Sequence, residues 1–395
     1  MRRVSQLQSI PSPARPRRRW RWWLAGLVTV LAAAILIFGT FVRAPYVLYG
    51  PGPTLNVLGQ DAGRDIINVS GADVFPTSGE LRMTTVSQQG GPGTHLTYFQ
   101  VASALLSDDW DVEREEDVFP QGTTREQISE RGAAQMVSSQ ENAEARALTE
   151  LGYQVPVTMK VVGTTNTSDA AGKLQEGDIL RTIKVGDQQP AKLDTYAAIH
   201  DFLAQVEPGS VVTLEFERDG KTQTADIKTQ EPINSYTGGK LLGVTGSRLG
   251  VFLTVDMDLP LDVGILVENI TGPSAGMIFG LALIDKLTEG DLTGGNNIAG
   301  TGTLGMDGTV GPIGGAPQKL LGAKRDGAEY FLLPVDNCAD ISGRVPDGLH
   351  VYAVATLGEA RQTVEGIAAG DFSRAQTCEQ AIERLAVLTG DVGQS

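Results

Sequence analysis

From Trp22 to Val42 the chain runs for 21 residues without a charged side chain, and this stretch restricts what it can fold into more than any other. As a helix it is about 32 Å long, enough to cross a hydrocarbon core of roughly 30 Å. It exceeds the usual ~7–15-residue apolar core of a cleaved signal peptide, and no convincing A-x-A site follows it. Arg2, Arg3, Arg15, Arg17, Arg18, Arg19 and Arg21 lie before it, residues 1–42 hold no acid, and only Arg43 follows closely. The positive-inside rule therefore places a basic tail, residues 1–21, in the cytoplasm. Residues 22–42 form a single uncleaved anchor, with Trp20, Trp22 and Trp23 at the inner interface and everything after residue 43 outside the cell.

The same asymmetry bears on partners. Removing the seven arginines leaves 25 basic residues against 47 acidic ones, a balance of −22. Such a surface repels phosphate backbones and argues against nucleic acid. At 395 residues, two or three domains are expected. Export also makes the two cysteines intelligible, because oxidation is permitted there. A Cys338–Cys378 disulfide would close a loop of about 41 residues, worth on the order of 4 kcal/mol in the chain-entropy model. Two unrelated buried thiols are the alternative, since a sequence does not give the Cα separation.

Residues 44–150 read as an α/β segment that precedes or wraps the next part. Short β-type runs are followed by a helix over 123–150, rich in Glu, Gln, Arg and Ala. Residues 151–232 then show a strand (VPVTMKVV), a loop into Gly177-Asp178-Ile179-Leu180, a helix from Tyr196 to Leu203, and a hairpin with Asp219-Gly220 at its tip. This order resembles a PDZ domain of the kind found in bacterial exported proteases. The resemblance implies capture of extended peptides by strand addition beside the helix, with Ile199, Phe202 and Leu203 facing the groove in part. Leu151-Gly152-Tyr153 is the candidate carboxylate-binding loop. The plainer reading is a structural spacer.

From residue 241 to about 370 strands and helices alternate in an α+β or α/β pattern, and 371–395 reads as a C-terminal helix and tail. Strand VGILVENI ends in Gly272-Pro273, and a helix is expected to open at or near Ser274. A serine there can cap the helix. It can equally be a nucleophile, where free N–H groups and the positive dipole end stabilise an oxyanion. Further on come Ala299-Gly300-Thr301-Gly302, then Val310-Gly311-Pro312-Ile313-Gly314-Gly315, then Lys319 in the first turn of a helix opened by Pro317.

These four motifs in this order resemble the proteolytic domain of the Lon family. With the PDZ-like part and the anchor, the chain is similar to bacterial membrane-anchored Lon-like serine proteases. The expected fold is multidomain α+β: an N-terminal transmembrane helix, a β-rich PDZ-like domain and a Lon-type α/β proteolytic domain. The resemblance implies Ser274 as nucleophile, Lys319 as its general base, and Thr301 as a residue that helps hold the lysine, with Gly272 supporting the turn. A lysine titrates near ~10.4 and is useless as a base unless desolvation or positive potential lowers that value. The carboxylate-free flank from 308 to 325 suits this.

Other chemistries have less support. None of the three histidines, His95, His200 and His350, falls within the motifs; His350 is the rival base for a Ser-His-Asp arrangement. No metal motif is present and no cofactor is expected. No G-x-x-x-x-G-K-[ST] occurs, so cleavage without ATP is expected, of exported or membrane-associated polypeptides. The alternative is a non-catalytic, membrane-anchored peptide-binding scaffold. Natural substrates and self-association are left open.

Overall fold

A computed structural model describes residues 18–61, 63–232, 246–268 and 270–389. Most of the expected cytoplasmic tail, the start of the expected proteolytic segment at 241–245 and the last six residues of the expected C-terminal tail lie outside the described residues. Two compact units emerge, one of Met1–Leu48 with Gln88–Gly122 and one of Tyr49–Ser87 with Thr123–Ser395.

The first unit carries the helix Arg18–Phe41. Among the described residues it holds the one stretch, Trp22–Phe41, long and apolar enough to cross a membrane. Its large apolar side chains are exposed, Leu31, Ile35 and Phe38 by more than half, so it is no core helix of a soluble body. A small core of Ala44, Leu48, Leu96, Val101 and Ala104 follows it, formed with the short helix Tyr98–Leu105.

In the second unit a mixed sheet runs in the order Gln376–Thr377, His350–Val354, Tyr330–Pro334, Asn297–Gly300, Glu80–Gly90, Tyr46–Asn56. The strands from 80–90 through 350–354 are mutually parallel. The helix Gly276–Leu287 is buried on every side through Met277–Ile284, which explains its unbroken apolar sequence. Against it packs Arg125–Glu150, opened by a capping box between Thr124 and Gln127.

Segment 44–150 was expected to precede or wrap the PDZ-like part. In the second unit its strands and its long helix join the core around helix Gly276–Leu287, with Glu80–Gly90 lying directly beside Asn297–Gly300. Strand pairing between residues more than 200 apart leaves no local mark in a sequence. The PDZ-like module is thus inserted between the two parts of that core. Its sheet runs Lys221–Lys228, Val211–Arg218, Ile179–Val185, Val157–Thr164, Val251–Met257. The last strand corrects the expected boundary at 241. Val251–Met257 pairs antiparallel along Val157–Thr164 and belongs to the PDZ-like sheet.

The module has its own core around Met159, Leu180, Ile183, Leu214 and Phe216. Asp178 of the Gly-Asp pair is fully buried, yet it is satisfied by two hydrogen bonds from Arg218 and one from the Gln175 N–H. The hairpin turns at Asp219 (φ 52°) and Gly220 (φ 70°), both left-handed as a two-residue turn demands.

Cys338 and Cys378 form a disulfide with Cα atoms 5.1 Å apart. It ties the 3-10 turn Val335–Ile341 to the first residue of helix Cys378–Thr389. Alkylation of the denatured, unreduced chain should find no free thiol, and reduction should change its electrophoretic mobility. Two reactive thiols under oxidising conditions would contradict the bond.

Candidate active site

Ser274 lies in the turn after Pro273, not at the helix cap. The helix begins at Gly276 with Ala275 as its cap residue, and no side chain caps it. The capping alternative for Ser274 is therefore not realised, and its hydroxyl is free for another partner. That partner is Lys319, whose Nζ lies 2.9 Å from Ser274 Oγ. Lys319 Nζ also lies 2.9 Å from Thr301 Oγ1, to which it donates. Thr301 in turn spends its own proton on the Ser274 carbonyl, 3.0 Å away. With that proton committed, the threonine presents only lone pairs to the lysine.

Three separated stretches supply these groups. Thr301 follows strand Asn297–Gly300, whose end is tied to Ser274 by the Gly302 N–H donating to the Ser274 carbonyl at 2.8 Å. Lys319 stands in the helix Ala316–Arg325, which Gly315 opens with a left-handed φ of 68° and Pro317 helps start. Lys319 is only 3% exposed and Thr301 not at all, whereas Ser274 is half-buried and open to a substrate. Burial alone lowers the Lys319 pKa from 10.5 to about 7.

The turn before the serine is held from below. Gly272 has a φ of 97°, which only glycine adopts at little cost, and its N–H donates to the Gly132 carbonyl at 3.0 Å. Ser139 donates to the Pro273 carbonyl at 3.0 Å. A Cβ on Gly132 would stand 2.9 Å from that of Thr271. Both supporting residues lie in helix Arg125–Glu150 and were not singled out from the sequence. The one available signal was Gly132 inside an otherwise strong helix former, where a glycine usually has a packing reason.

The rival bases stand elsewhere. His350 begins an exposed strand end, its ring tilted against Tyr330 with centroids 5.7 Å apart. Lys324 donates to the Gly348 carbonyl at the exposed end of its helix. Among the described residues no cluster of His, Cys, Asp and Glu could hold a metal ion.

In the PDZ-like module, Ile199 is 6% exposed and packs in the domain core, while Phe202 and Leu203 are half-buried against the same cluster. Leu151-Gly152-Tyr153 closes helix Arg125–Glu150. Gly152 (φ 86°) donates to Thr149 and Tyr153 to Leu148, a left-handed C-cap motif, so these N–H groups are not available to a peptide carboxylate. The turn Leu249-Gly250-Val251 leads into the end strand Val251–Met257, and the Ser247 N–H just before it donates to the Leu203 carbonyl at the end of helix Tyr196–Ala204.

The fold and site define a mixed α/β domain that buries a lysine against the hydroxyls of a serine and a threonine. Residues 261–364 match the family model of the Lon protease (S16) C-terminal proteolytic domain. Lon protease 1 of Sorangium cellulosum is 38% identical over 122 residues, covering 30% of this chain and 14% of that protein. Lon protease of Haemophilus influenzae is 40% identical over 91 residues, 22% of this chain and 11% of that one. The chain thus spans a small part of the length of these relatives. The PDZ domain of the SdrC-like protein from Listeria innocua matches 24% of this chain and 92% of that domain at 20% identity, with a TM-score of 0.19.

Proposed function

We propose that the chain is a membrane-anchored serine endopeptidase that cleaves exported or membrane-associated polypeptides without ATP. The observation that carries the proposal is the 2.9 Å contact between a buried lysine amine and the hydroxyl of a half-buried serine. With its pKa near 7, Lys319 is neutral in a large share of molecules at neutral pH. Its lone pair then takes the Ser274 proton as Oγ attacks the scissile carbonyl carbon. The resulting ammonium gives that proton to the leaving amine, and a water, deprotonated by the same lysine, releases the acyl group. Among the described residues the N–H groups of Ser274 and Ala275 take no acceptor, which leaves them available for the oxyanion.

Independence from ATP rests on the absence of a phosphate-binding G-x-x-x-x-G-K-[ST] anywhere in the 395 residues. On this reading the substrate arrives already extended. The reading is tested by incubating the full-length chain in detergent with a labelled unfolded protein and no nucleotide. Fragments are expected, unchanged in rate when ATP is added. Intact substrate, or cleavage only with ATP, would overturn it.

The PDZ-like module fits a delivery role. A peptide adding beside Val251–Met257 would have its terminus near Leu249-Gly250-Val251 and the end of helix Tyr196–Ala204. Phe202→Asp should then slow cleavage of long polypeptides and leave short fluorogenic peptides unaffected. Equal loss on both would assign the module a purely structural role.

A further inference from the structure

Helix Tyr98–Leu105 leaves an apolar face largely exposed. Phe99 is 43% exposed, Leu105 69% and Leu106, its C-cap, 91%. Helical spacing puts Phe99, Ala102, Leu105 and Leu106 on one side, with Val101 and Ala104 turned into the small core. From Leu96 to Ser107 no residue carries a charge, whereas Asp108, Asp109 and Asp111 follow at once. Exposed large apolar side chains are ordinary when scattered singly, and a contiguous set marks an interaction surface.

What covers this face follows from where it is fixed. The Tyr98 ring stacks on Phe38 of the anchor helix, centroids 5.0 Å apart. Gly39 leaves room for the Phe99 ring, since a Cβ there would stand 2.5 Å from it. The junction is braced by the Ala44 N–H donating to the Leu96 carbonyl at 2.8 Å. Arg43 adds bonds to the Thr94 and Gly91 carbonyls and an ion pair with Glu115 at 2.7 Å. Phe38 and Gly39 lie within the apolar span, Phe38 four residues before its last member, Val42, or about 6 Å along the axis. A helix locked beside them cannot stand in bulk water if the anchor spans the bilayer.

We infer that helix Tyr98–Leu105 is an interfacial helix whose Phe99, Leu105 and Leu106 side chains enter the outer-leaflet acyl chains beside the anchor. The chain thus holds the membrane at two places, through a braced joint. The apolar face takes the acyl region, and the acids from Asp108 onward keep the following segment in water. This inference rests on the anchor reading.

The test uses the full chain in phosphatidylcholine–phosphatidylglycerol vesicles. Leu106→Cys, and separately Leu31→Cys, is labelled with an environment-sensitive fluorophore while Cys338 and Cys378 remain bonded. Both positions are exposed, so neither change disturbs packing. The label at 106 should shift to the blue on reconstitution and lose emission to lipids bearing a nitroxide near the headgroup end of the acyl chain, more than to deep ones. A label at 31 quenched by lipid with one at 106 that stays water-like would leave the anchor standing and overturn the interfacial helix. Unquenched labels at both positions would overturn anchor and helix together. A blue-shifted but unquenched label at 106, with emission that varies with protein density, would assign the face to a second copy of the chain and overturn the proposal as well.

Discussion

Ser274→Ala should reduce peptide cleavage by at least about 10⁴-fold, and Lys319→Arg should be nearly as severe. Alanine removes the attacking oxygen and one partner of a buried amine, costing about 1 kcal/mol of stability, since the hydroxyl caps no helix. Arginine retains positive charge but cannot surrender its proton at any ordinary pH, and so cannot serve as a base. Thr301→Val leaves the reacting pair in place and removes both the lysine's acceptor and the tie to the Ser274 carbonyl. A loss of roughly 10- to 100-fold is expected from the looser alignment. The wild-type rate should climb with pH on a limb centred near pH 7, where Lys319 becomes neutral. Initial rates on a short fluorogenic peptide across pH 5–9 would read all of these, with circular dichroism as the check on folding. Undiminished activity in Lys319→Arg would remove the lysine from the mechanism.

The second large effect is on stability, and it opposes the first. Replacing Lys319 by methionine should abolish activity and yet raise the melting temperature at pH 7. The unfolded chain holds the lysine proton up to about pH 10.5, while the folded chain releases it near pH 7. Between these values the unfolded state binds more protons, so wild-type stability rises with pH across that window and is at its lowest below it. At pH 7 the buried amine costs on the order of 4 kcal/mol. A methionine of similar length fills the same space without that cost. The variant's melting temperature should exceed wild type by several degrees at pH 7, and the difference should shrink toward pH 10. A lower melting temperature in Lys319→Met at pH 7 would show that the lysine's hydrogen bonds to Ser274 and Thr301 outweigh its desolvation.

The fold carries this amine at 3% exposure, setting a stability cost against its place beside Ser274 and Thr301. The same trade appears at Gly272 and Gly315, where left-handed backbone sets up the serine turn and the lysine helix.

Much of this was determined locally. An uncharged run of 21 residues needs no tertiary partner to be recognised, because length and polarity alone limit it. Helix Arg125–Glu150 follows from composition and a capping box, and the Asp219-Gly220 hairpin from a turn that demands left-handed residues. The order of Ser274, Thr301 and Lys319 also survives in one dimension, since each lies in a distinctive short motif. Tertiary structure alone decided what those motifs meet. The lysine is a base candidate through burial, which is summed over neighbours from the whole fold. Strand Val251–Met257 alternates in a way that reads as a strand wherever it goes, and only its register with Val157–Thr164 assigns it to the PDZ-like sheet. Gly132 and Ser139 hold the serine turn across a gap of more than 130 residues, and Leu151-Gly152-Tyr153 closes a helix instead of binding a peptide. In each case short-range preference specified the element. Its partner was chosen by long-range packing and by the need to satisfy buried polar groups, and neither is written within a window of neighbouring residues.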